Sequence, residues 1–358
     1  MGKTKSMKIS IGTFDLIKGI SMLSIVFGHM IFRYDMGQMA LLTPFLVLLT
    51  PFETAFLPMF FIISGFSFRE KPLAKMLKKT WSEMIIPYLF VTLFVAMLFP
   101  VIHYLNFKWW PGAVEETIRT VLAFLFGIPT GGKVIFGYQV YESTVVWFLL
   151  ALFFALNGLN LVLKVKKESV QAAAAVCCVV LGYLLLRLDF IYFCLPQGLM
   201  AAGYCYIGYL MKKYNFFSGG KSLKWAYVAM GAVAVWQLAF GDYNLAHGTF
   251  KYGLLDYFAS ICAGILFMAL GIYAGRLEWK GLEWIKQIGV YTYWIMCIHS
   301  VEMTCIPWYR LTEYFAEQQI IAFSIEVCVK TVIITSGCLV LKQITKIKYS
   351  RRLSGNGK

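Results

Sequence analysis

The first apolar segment of the chain carries three polar side chains that are expensive to place in lipid. Asp15, Lys18 and His29 interrupt a run of apolar residues. On an α-helix Lys18 and His29 lie within about 20° of each other and ~16 Å apart along the axis, and Asp15 shares their face. An intramembrane charge costs at least about 2.5 kcal/mol, which marks a functional candidate. The spacing predicts a polar stripe that ends at a histidine able to act as a base or nucleophile.

A second candidate pair lies near the other end of the chain. His299 and Glu302 are three residues apart in an apolar segment, so a helix brings them together on one turn. A carboxylate beside an imidazole fixes the tautomer of the ring and raises its basicity. Structural roles are open for all of these groups: Lys18 can reach to the interface, Asp15 can cap a helix, and the histidines can bond between helices.

Ser64 and Gly65 break another apolar run shortly before Arg69. Small residues permit close helix packing, which is the structural interpretation. The functional interpretation is a constriction where the backbone and Arg69 meet a phosphate-bearing ligand. Trp147, His103 and His247 are expected at the membrane–water interface.

Composition assigns these residues to a membrane protein. Apolar residues make up 59% of the 358 and charged residues only 14%, whereas soluble domains have roughly 45–50% and about 25%. The apolar residues come in blocks of about 20, the length that crosses a bilayer. The nine cysteines show no C-x-x-C or Cys/His spacing, so neither a metal site nor a disulfide framework is predicted.

The pattern predicts an all-α, polytopic membrane helix bundle of about ten transmembrane helices. The short segment 114–128 carries two glutamates and an arginine, and it is expected to be interfacial or re-entrant. The ten predicted spans are 14–32, 44–66, 84–104, 143–163, 170–188, 190–211, 225–240, 252–274, 288–308 and 320–341.

The basic residues predict the orientation of the bundle. With the N-terminus inside, 24 of the 33 Lys and Arg residues fall on the inner side, 7 on the outer side and 2 within spans. The positive-inside rule therefore favours both termini in the cytoplasm. The net charge of +15 is explained by topology rather than by nucleic acid. We predict a transmembrane domain over residues 1–342 and a basic cytoplasmic tail over residues 343–358.

Several segments, in order along the chain, resemble the acyltransferase 3 family of membrane O-acyltransferases. Residues 14–20 (FDLIKGI) and 26–29 (VFGH) resemble the family's first-helix signature. Residues 58–66 (PMFFIISGF) resemble its second-helix motif. Residues 86–88 (IPY), 147–153 (WFLLALF) and the stretch from Ile288 to His299 are similar to later landmarks.

The chain departs from the family pattern at two places. Lys18 stands where many members carry arginine, although lysine is usual in a small acetyltransferase-like branch that resembles fucose 4-O-acetylases. Lysines stand where an arginine-rich pattern precedes the IPY motif in many members.

The resemblance implies transfer of an acyl group from cytoplasmic acyl-CoA to a hydroxyl of an extracytoplasmic cell-surface glycan. Acetyl-CoA is the expected co-substrate, with succinyl left open, and no metal is implied. His29 would be the central catalytic residue, as general base or as acylated nucleophile, with Lys18, Asp15, His299 and Glu302 as further catalytic candidates. The candidates for binding the donor are Ser64, Gly65, Arg69, Lys75, Lys78 and Lys79.

The implied partners are a polysaccharide or glycolipid acceptor and membrane lipid, and the implied location is the inner (cytoplasmic) cell membrane. Two other classes fit a multispan protein with intramembrane charge. One is a transporter or flippase of polysaccharide or lipid-linked sugar, which consumes no acetyl-CoA. The other is a membrane sensor or scaffold, which would tolerate substitution of both His29 and Lys18.

Overall fold

Apolar runs of helical length dominate the chain, and the computed structural model shows them as a helix bundle. It describes residues 11–31, 33–34, 53–218, 221–276 and 281–355. The only strands in these residues are two short hairpins, β1 (Val134–Ile135) with β2 (Tyr138–Gln139), and β3 (Tyr243–Asn244) with β4 (Thr249–Phe250). The helices are α1 (Asp15–Ile31), α2 (Glu53–Phe66), α3 (Leu73–Thr80), α4 (Ile86–Phe107), α5 (Trp110–Leu125), α6 (Trp147–Val162), α7 (Glu168–Arg187), α8 (Leu195–Lys213), α9 (Lys221–Phe240), α10 (Leu254–Ala274), α11 (Gly281–Cys305), α12 (Tyr309–Tyr314) and α13 (Gln319–Gly355).

Short 3₁₀ and π turns join or precede some of these helices. A π turn links α3 to α4 without a break. Prolines near the first positions of α5 and α8 fit helix starts, where no backbone N–H is needed. The short turns are Ile11–Phe14, Trp81–Ile85, Thr144–Val146, Tyr192–Cys194 and Phe216–Ser218.

The all-α, polytopic membrane architecture is confirmed. Each of the ten predicted spans overlaps a helix, although residue 32 and residues 44–52 lie outside the described part of the chain. The number of spans differs from the prediction of about ten. Six of the described helices are long and apolar enough to cross a membrane. These six candidate spans are Leu73–Phe107, Thr144–Val162, Glu168–Arg187, Leu223–Phe240, Leu254–Ala274 and Gln319–Gln343.

The helices of the other four predicted spans, α1, α2, α8 and α11, fall below that standard for physical reasons. α1 has 17 residues and α2 has 14 described residues, which is short for a span. α8 and α11 are longer but carry glutamine, tyrosine, histidine or glutamate side chains. Many of the α8 residues are buried against other helices, so this helix does not need an apolar surface all round. The segment 114–128 falls largely in α5, which is not among the six candidate spans.

The centre of the bundle depends on two tight helix crossings. α1 crosses α11 so closely that a Cβ on Gly19 would overlap the carbonyl of Ile285, and one on Gly289 would overlap the carbonyl of Asp15. Helices approach this closely only where small residues remove the side-chain layer. The α1–α11 crossing therefore fixes the position of the His29 helix relative to the His299 helix.

The second crossing joins α2 and α8. A Cβ on Gly65 would overlap the carbonyl of Cys205, and one on Gly208 would overlap the carbonyl of Ile62. α10 packs against both α1 and α2, and α8 also packs against α6 and α7. α4 and α13 pack on α11, and α6 is the most buried of the candidate spans.

Ring contacts show which helix ends lie together. Phe14, just before α1, contacts Phe66 at the end of α2, with ring centroids 5.4 Å apart. At the opposite end of the bundle the β3–β4 hairpin inserts between helices, with Tyr243 and Phe250 each 5% exposed. The Tyr243 hydroxyl lies 2.6 Å from the Tyr204 hydroxyl of α8. We call the end of the bundle near Phe14 and Phe66 the Lys18 end, and the end that holds the β3–β4 hairpin the hairpin end.

Candidate active site

His29 lies in the last third of α1, and its ring is held by its own helix. Its Nδ1 is 2.7 Å from the carbonyl oxygen of Ile25. A carbonyl can only accept, so Nδ1 must carry the hydrogen, and in the neutral ring Nε2 keeps its lone pair. His29 lines a large internal cavity. The helix therefore presents an imidazole whose unprotonated nitrogen is available for proton transfer or nucleophilic attack.

His299 of α11 stands beside His29 and is backed by a carboxylate. The two imidazole centroids are 5.5 Å apart at an interplanar angle of 61°. His299 is 0% exposed, and its Nδ1 lies 2.5 Å from Glu302 Oε1. An ionised Glu302 accepts that hydrogen, so Nε2 of the neutral ring is again the unprotonated nitrogen. This buried Nε2 has no hydrogen-bond partner in the part of the chain that the structure describes.

Glu302 is itself held by two other side chains. Lys330 Nζ lies 2.6 and 2.7 Å from its two carboxylate oxygens, and Trp308 Nε1 donates to Oε2 at 2.7 Å. The Lys330 ammonium also lies 4.6 Å from the centroid of the Trp308 ring. A buried carboxylate is stable only when it is paired and hydrogen-bonded. These contacts fix the group that orients His299.

Lys330 also lies near Glu326, which stands four residues earlier on the same helix. Their closest atoms are 3.4 Å apart, which is longer than the contacts of Lys330 with Glu302. Glu326 instead accepts from Arg33 at 2.9 Å and from the hydroxyl of Tyr34 at 2.6 Å. Sequence spacing could show the partner within one helix, but not the partners supplied by α11 and by the residues after α1.

Lys18 and Asp15 pair within α1. Lys18 Nζ is 2.6 Å from Asp15 Oδ1, and their side chains are 14% and 19% exposed. Lys18 lines the same cavity as His29, and Ser64 of α2 lines it as well. Asp15 does not line the cavity; its side chain binds Lys18 and its carbonyl faces Gly289.

The other residues predicted to bind the donor lie outside the cavity. Gly65 packs against the backbone of α8, which favours the structural interpretation for that residue. Arg69, Lys75 and Lys78 are exposed on the loop and helix that follow α2. Lys79 is also exposed and lies 3.5 Å from Glu83. All four cations lie beyond α2, whose last residues adjoin the Lys18 end.

The cavity has a volume of about 720 Å³ and joins the two ends of the site. Lys18 and Ser64 line one end, and His29 and His299 line the middle. The hydroxyl of Thr144 is hydrogen-bonded to that of Ser300, so the segment before α6 meets α11 beside His299. The cavity could hold an extended ligand from Lys18 past both imidazoles.

The hairpin end of the cavity was not predicted as part of the site. Glu142, Asp242, Asn244 and His247 line it, and they come from the loop before α6 and from the β3–β4 hairpin. Desolvation raises the pKa of the Glu142 carboxyl although the residue has exposed surface, and the charge of His247 opposes that shift. Only the tertiary fold brings these loops to the site.

The position of Trp147 differs from the prediction, which placed it at the membrane–water interface. Its side chain is 6% exposed and lines the cavity. His103, in contrast, stacks between Phe99 and Phe107 of α4, with centroids 5.8 and 4.6 Å away, and does not line the cavity. Of the candidate residues, the fold brings Lys18, His29, Ser64 and His299 to the cavity wall, with Glu302 directly behind His299.

Residues 11–342 match the family described as an acyltransferase domain, acyltransferase 3, over nearly the whole chain. The chain belongs to that family. No curated protein and no solved structure matches the chain. The chain is therefore a multi-pass membrane acyltransferase, and the resemblance seen in the sequence motifs is confirmed at the level of the family.

Proposed function

We propose that this acyltransferase moves an acyl group, acetyl in the first instance, from cytoplasmic acyl-CoA to a hydroxyl of an extracytoplasmic cell-surface glycan. Its location would be the inner (cytoplasmic) cell membrane. The supporting observation is the single cavity that carries Lys18 at one end, two imidazoles in the middle and polar loops at the other end. A donor and an acceptor could reach His29 from opposite sides through this cavity.

The donor would enter at the Lys18 end. Acyl-CoA carries phosphates, and the exposed Arg69, Lys75, Lys78 and Lys79 supply positive charge beyond the end of α2. Lys18 would then meet the donor inside the mouth, with its charge partly balanced by Asp15. From Lys18 the pantetheine arm has about 16 Å of helix rise to reach His29. Ser64 would flank that path.

His29 would perform the transfer by one of two routes. As a general base, Nε2 takes the proton of the acceptor hydroxyl while the hydroxyl oxygen attacks the thioester carbonyl, and the CoA thiolate leaves and receives the proton. As a nucleophile, Nε2 attacks the thioester first, releases CoA and passes the acyl group from the imidazole to the acceptor oxygen. Both routes use the nitrogen that the Nδ1 contact with Ile25 leaves unprotonated.

His299 would serve the acceptor. Its Nε2 has no partner within the described ranges of the chain, and Glu302 would stabilise the imidazolium that forms when Nε2 takes a proton. In the nucleophilic route one imidazole carries the acyl group while the other activates the hydroxyl. The 5.5 Å separation of the ring centroids suits this division of roles.

The test is transfer of label from acetyl-CoA to surface glycan by membranes that contain the wild type or His29→Ala. We expect loss of transfer with His29→Ala at an unchanged protein level. His103→Ala is the matched control, because it removes an imidazole of α4 that does not line the cavity, and it should keep its activity. Full activity of His29→Ala would contradict the role of His29.

Transfer from no acyl-CoA by the wild type, with a suitable glycan present, would contradict the enzymatic proposal itself. Export of polysaccharide or lipid-linked sugar through the same cavity would then be the better explanation. Replacing labelled acetyl-CoA with succinyl-CoA in the same membranes distinguishes the two acyl groups.

A further inference from the structure

The charges that line the cavity are separated by sign. Among the described residues, Lys18 at one end is the only Lys or Arg that lines it, whereas Glu142 and Asp242 line the hairpin end. Asn244 and His247 are further polar residues of that end. Asn244 Oδ1 accepts from the backbone N–H of His247 at 3.0 Å, which holds the turn of the hairpin. The hairpin end therefore offers hydrogen-bond acceptors and negative charge.

Cations on neighbouring loops do not line this end, and several have other partners. Lys133 pairs with Asp189, and Arg119 pairs with Glu115 at 2.6 Å. Lys251, in the same hairpin region, lies 5.3 Å from the centroid of the Tyr252 ring. No Lys or Arg among the described residues therefore faces these carboxylates from within the cavity, and the basic group that faces Glu142 there is the imidazole of His247.

One buried group in the middle of the same cavity points to a ligand. His299 Nε2 has no partner among the described residues and belongs to a residue that is 0% exposed, although a buried polar atom normally has a partner. It lines the same cavity as Glu142 and Asp242. An unprotonated Nε2 accepts a hydrogen bond, so its natural partner is a hydroxyl donor.

We propose that the hairpin end is the acceptor subsite, built for a neutral or positively charged, hydroxyl-rich sugar, and that it disfavours acceptors carrying carboxylate or phosphate. The inference deepens the proposed function and rests on it. Glu142 and Asp242 would accept hydrogen bonds from sugar hydroxyls while His299 accepts from the hydroxyl to be acylated. This assigns opposite charge preferences to the two ends: an anionic donor at Lys18 and a non-anionic acceptor at the hairpin.

The electrostatic part can be measured without enzymatic activity. Ala246 lines the hairpin end and is half-buried, so Ala246→Cys places a small thiol there, and Asn244→Cys is a second reporter if the first does not fold. Wild-type protein gives the background from its own cysteines. The thiol is modified with two methanethiosulfonate reagents, one that carries a trimethylammonium group and one that carries a sulfonate group. Each modification rate is divided by the rate of the same reagent with a free thiol in solution.

We expect the normalised ratio of cationic to anionic rates to exceed one by roughly three- to fivefold per carboxylate at low salt. Glu142→Gln with Asp242→Asn should bring the ratio close to one. A ratio at or below one in the reporter protein, or one unchanged by the double substitution, would overturn the proposal.

The acceptor preference is measured with methyl glycosides of glucose, galactose and mannose and with the matched uronic acids. We expect a higher kcat/KM for the neutral sugar of each pair, and a smaller preference in the Glu142→Gln, Asp242→Asn protein. Equal or better transfer to the uronic acids would overturn the acceptor class. Transfer to no sugar, with the charge ratio retained, would contradict the proposed function while the negative charge of the hairpin end stands.

Discussion

At the scale of single residues, Glu302 connects the reactive part of the site to the rest of the bundle. Its carboxylate accepts hydrogen bonds from His299, Trp308 and Lys330, and all three contacts are buried. Removing one member of a buried ion pair leaves an uncompensated charge, which costs more than the pair itself contributes. The geometry of His299 should therefore depend on Lys330, although Lys330 lies behind Glu302 rather than beside the imidazole.

Lys330→Met tests this dependence. We expect it to lower the free energy of unfolding by about 3–5 kcal/mol, because Glu302 keeps a buried charge without its cation. The double variant Glu302→Gln, Lys330→Met should recover part of that loss, since neither charge remains. Thermal unfolding of purified protein in detergent measures both effects. Additive losses in the double variant would show that the two side chains are not coupled.

The kinetic side of the same network separates positioning from general stability. Glu302→Gln should reduce kcat strongly while the KM for acyl-CoA stays within about twofold, because the donor end of the cavity is untouched. Steady-state kinetics at several donor concentrations measures this. An increase in KM with kcat preserved would place Glu302 in donor binding instead.

At the scale of elements, the α1–α11 crossing decides how far His29 is from His299. Gly19 and Gly289 each lie directly against a carbonyl of the other helix. A methyl group at either position must push the helices apart, since backbone cannot move aside as a flexible side chain can. The α2–α8 crossing at Gly65 and Gly208 follows the same rule.

Gly289→Ala should therefore lower both stability and transfer activity. Gly231→Ala in α9 is the control, because nothing lies within 4 Å of a Cβ at that position. Alanine favours a helix over glycine by about 1 kcal/mol, so the control should be neutral or stabilised. Thermal unfolding and labelled acetyl transfer measure the two variants side by side. Equal behaviour of the pair would mean that the crossing tolerates expansion.

At the scale of the whole molecule, the predicted orientation makes the Lys18 end cytoplasmic and the hairpin end extracytoplasmic. The basic residues Lys75 and Lys78 lie beyond α2, near the Lys18 end, and His247 lies at the opposite end. The 24 to 7 division of Lys and Arg between the two sides is the basis of this prediction. α13 continues to Gly355, and the boundary at residue 342 stays a prediction.

Cysteine accessibility tests the orientation. His247→Cys should react with an impermeant thiol reagent added to intact cells, whereas Lys75→Cys should react only after the membrane is opened. Both residues are exposed on the folded protein, so burial does not confuse the comparison. The opposite labelling pattern would invert the bundle and with it the assignment of donor and acceptor ends.

The sequence by itself determined the class, the helices and the first half of the site. Apolar runs specify spans because lipid requires them, and helical periodicity puts Lys18 and His29 on one face. His299 and Glu302 pair because they are one turn apart. The family followed from local motifs that need no knowledge of packing.

Only the tertiary structure decided which helices meet. Lys330 binds Glu302 across 28 positions of sequence, and Glu142 joins Asp242 at the hairpin end through two loops that no periodicity connects. Packing likewise decides that Trp147 lies in the cavity wall and that Gly65 lies at a helix crossing. Contacts within a helix are fixed by its geometry, whereas contacts between helices depend on the complementary shape of surfaces far apart in the chain.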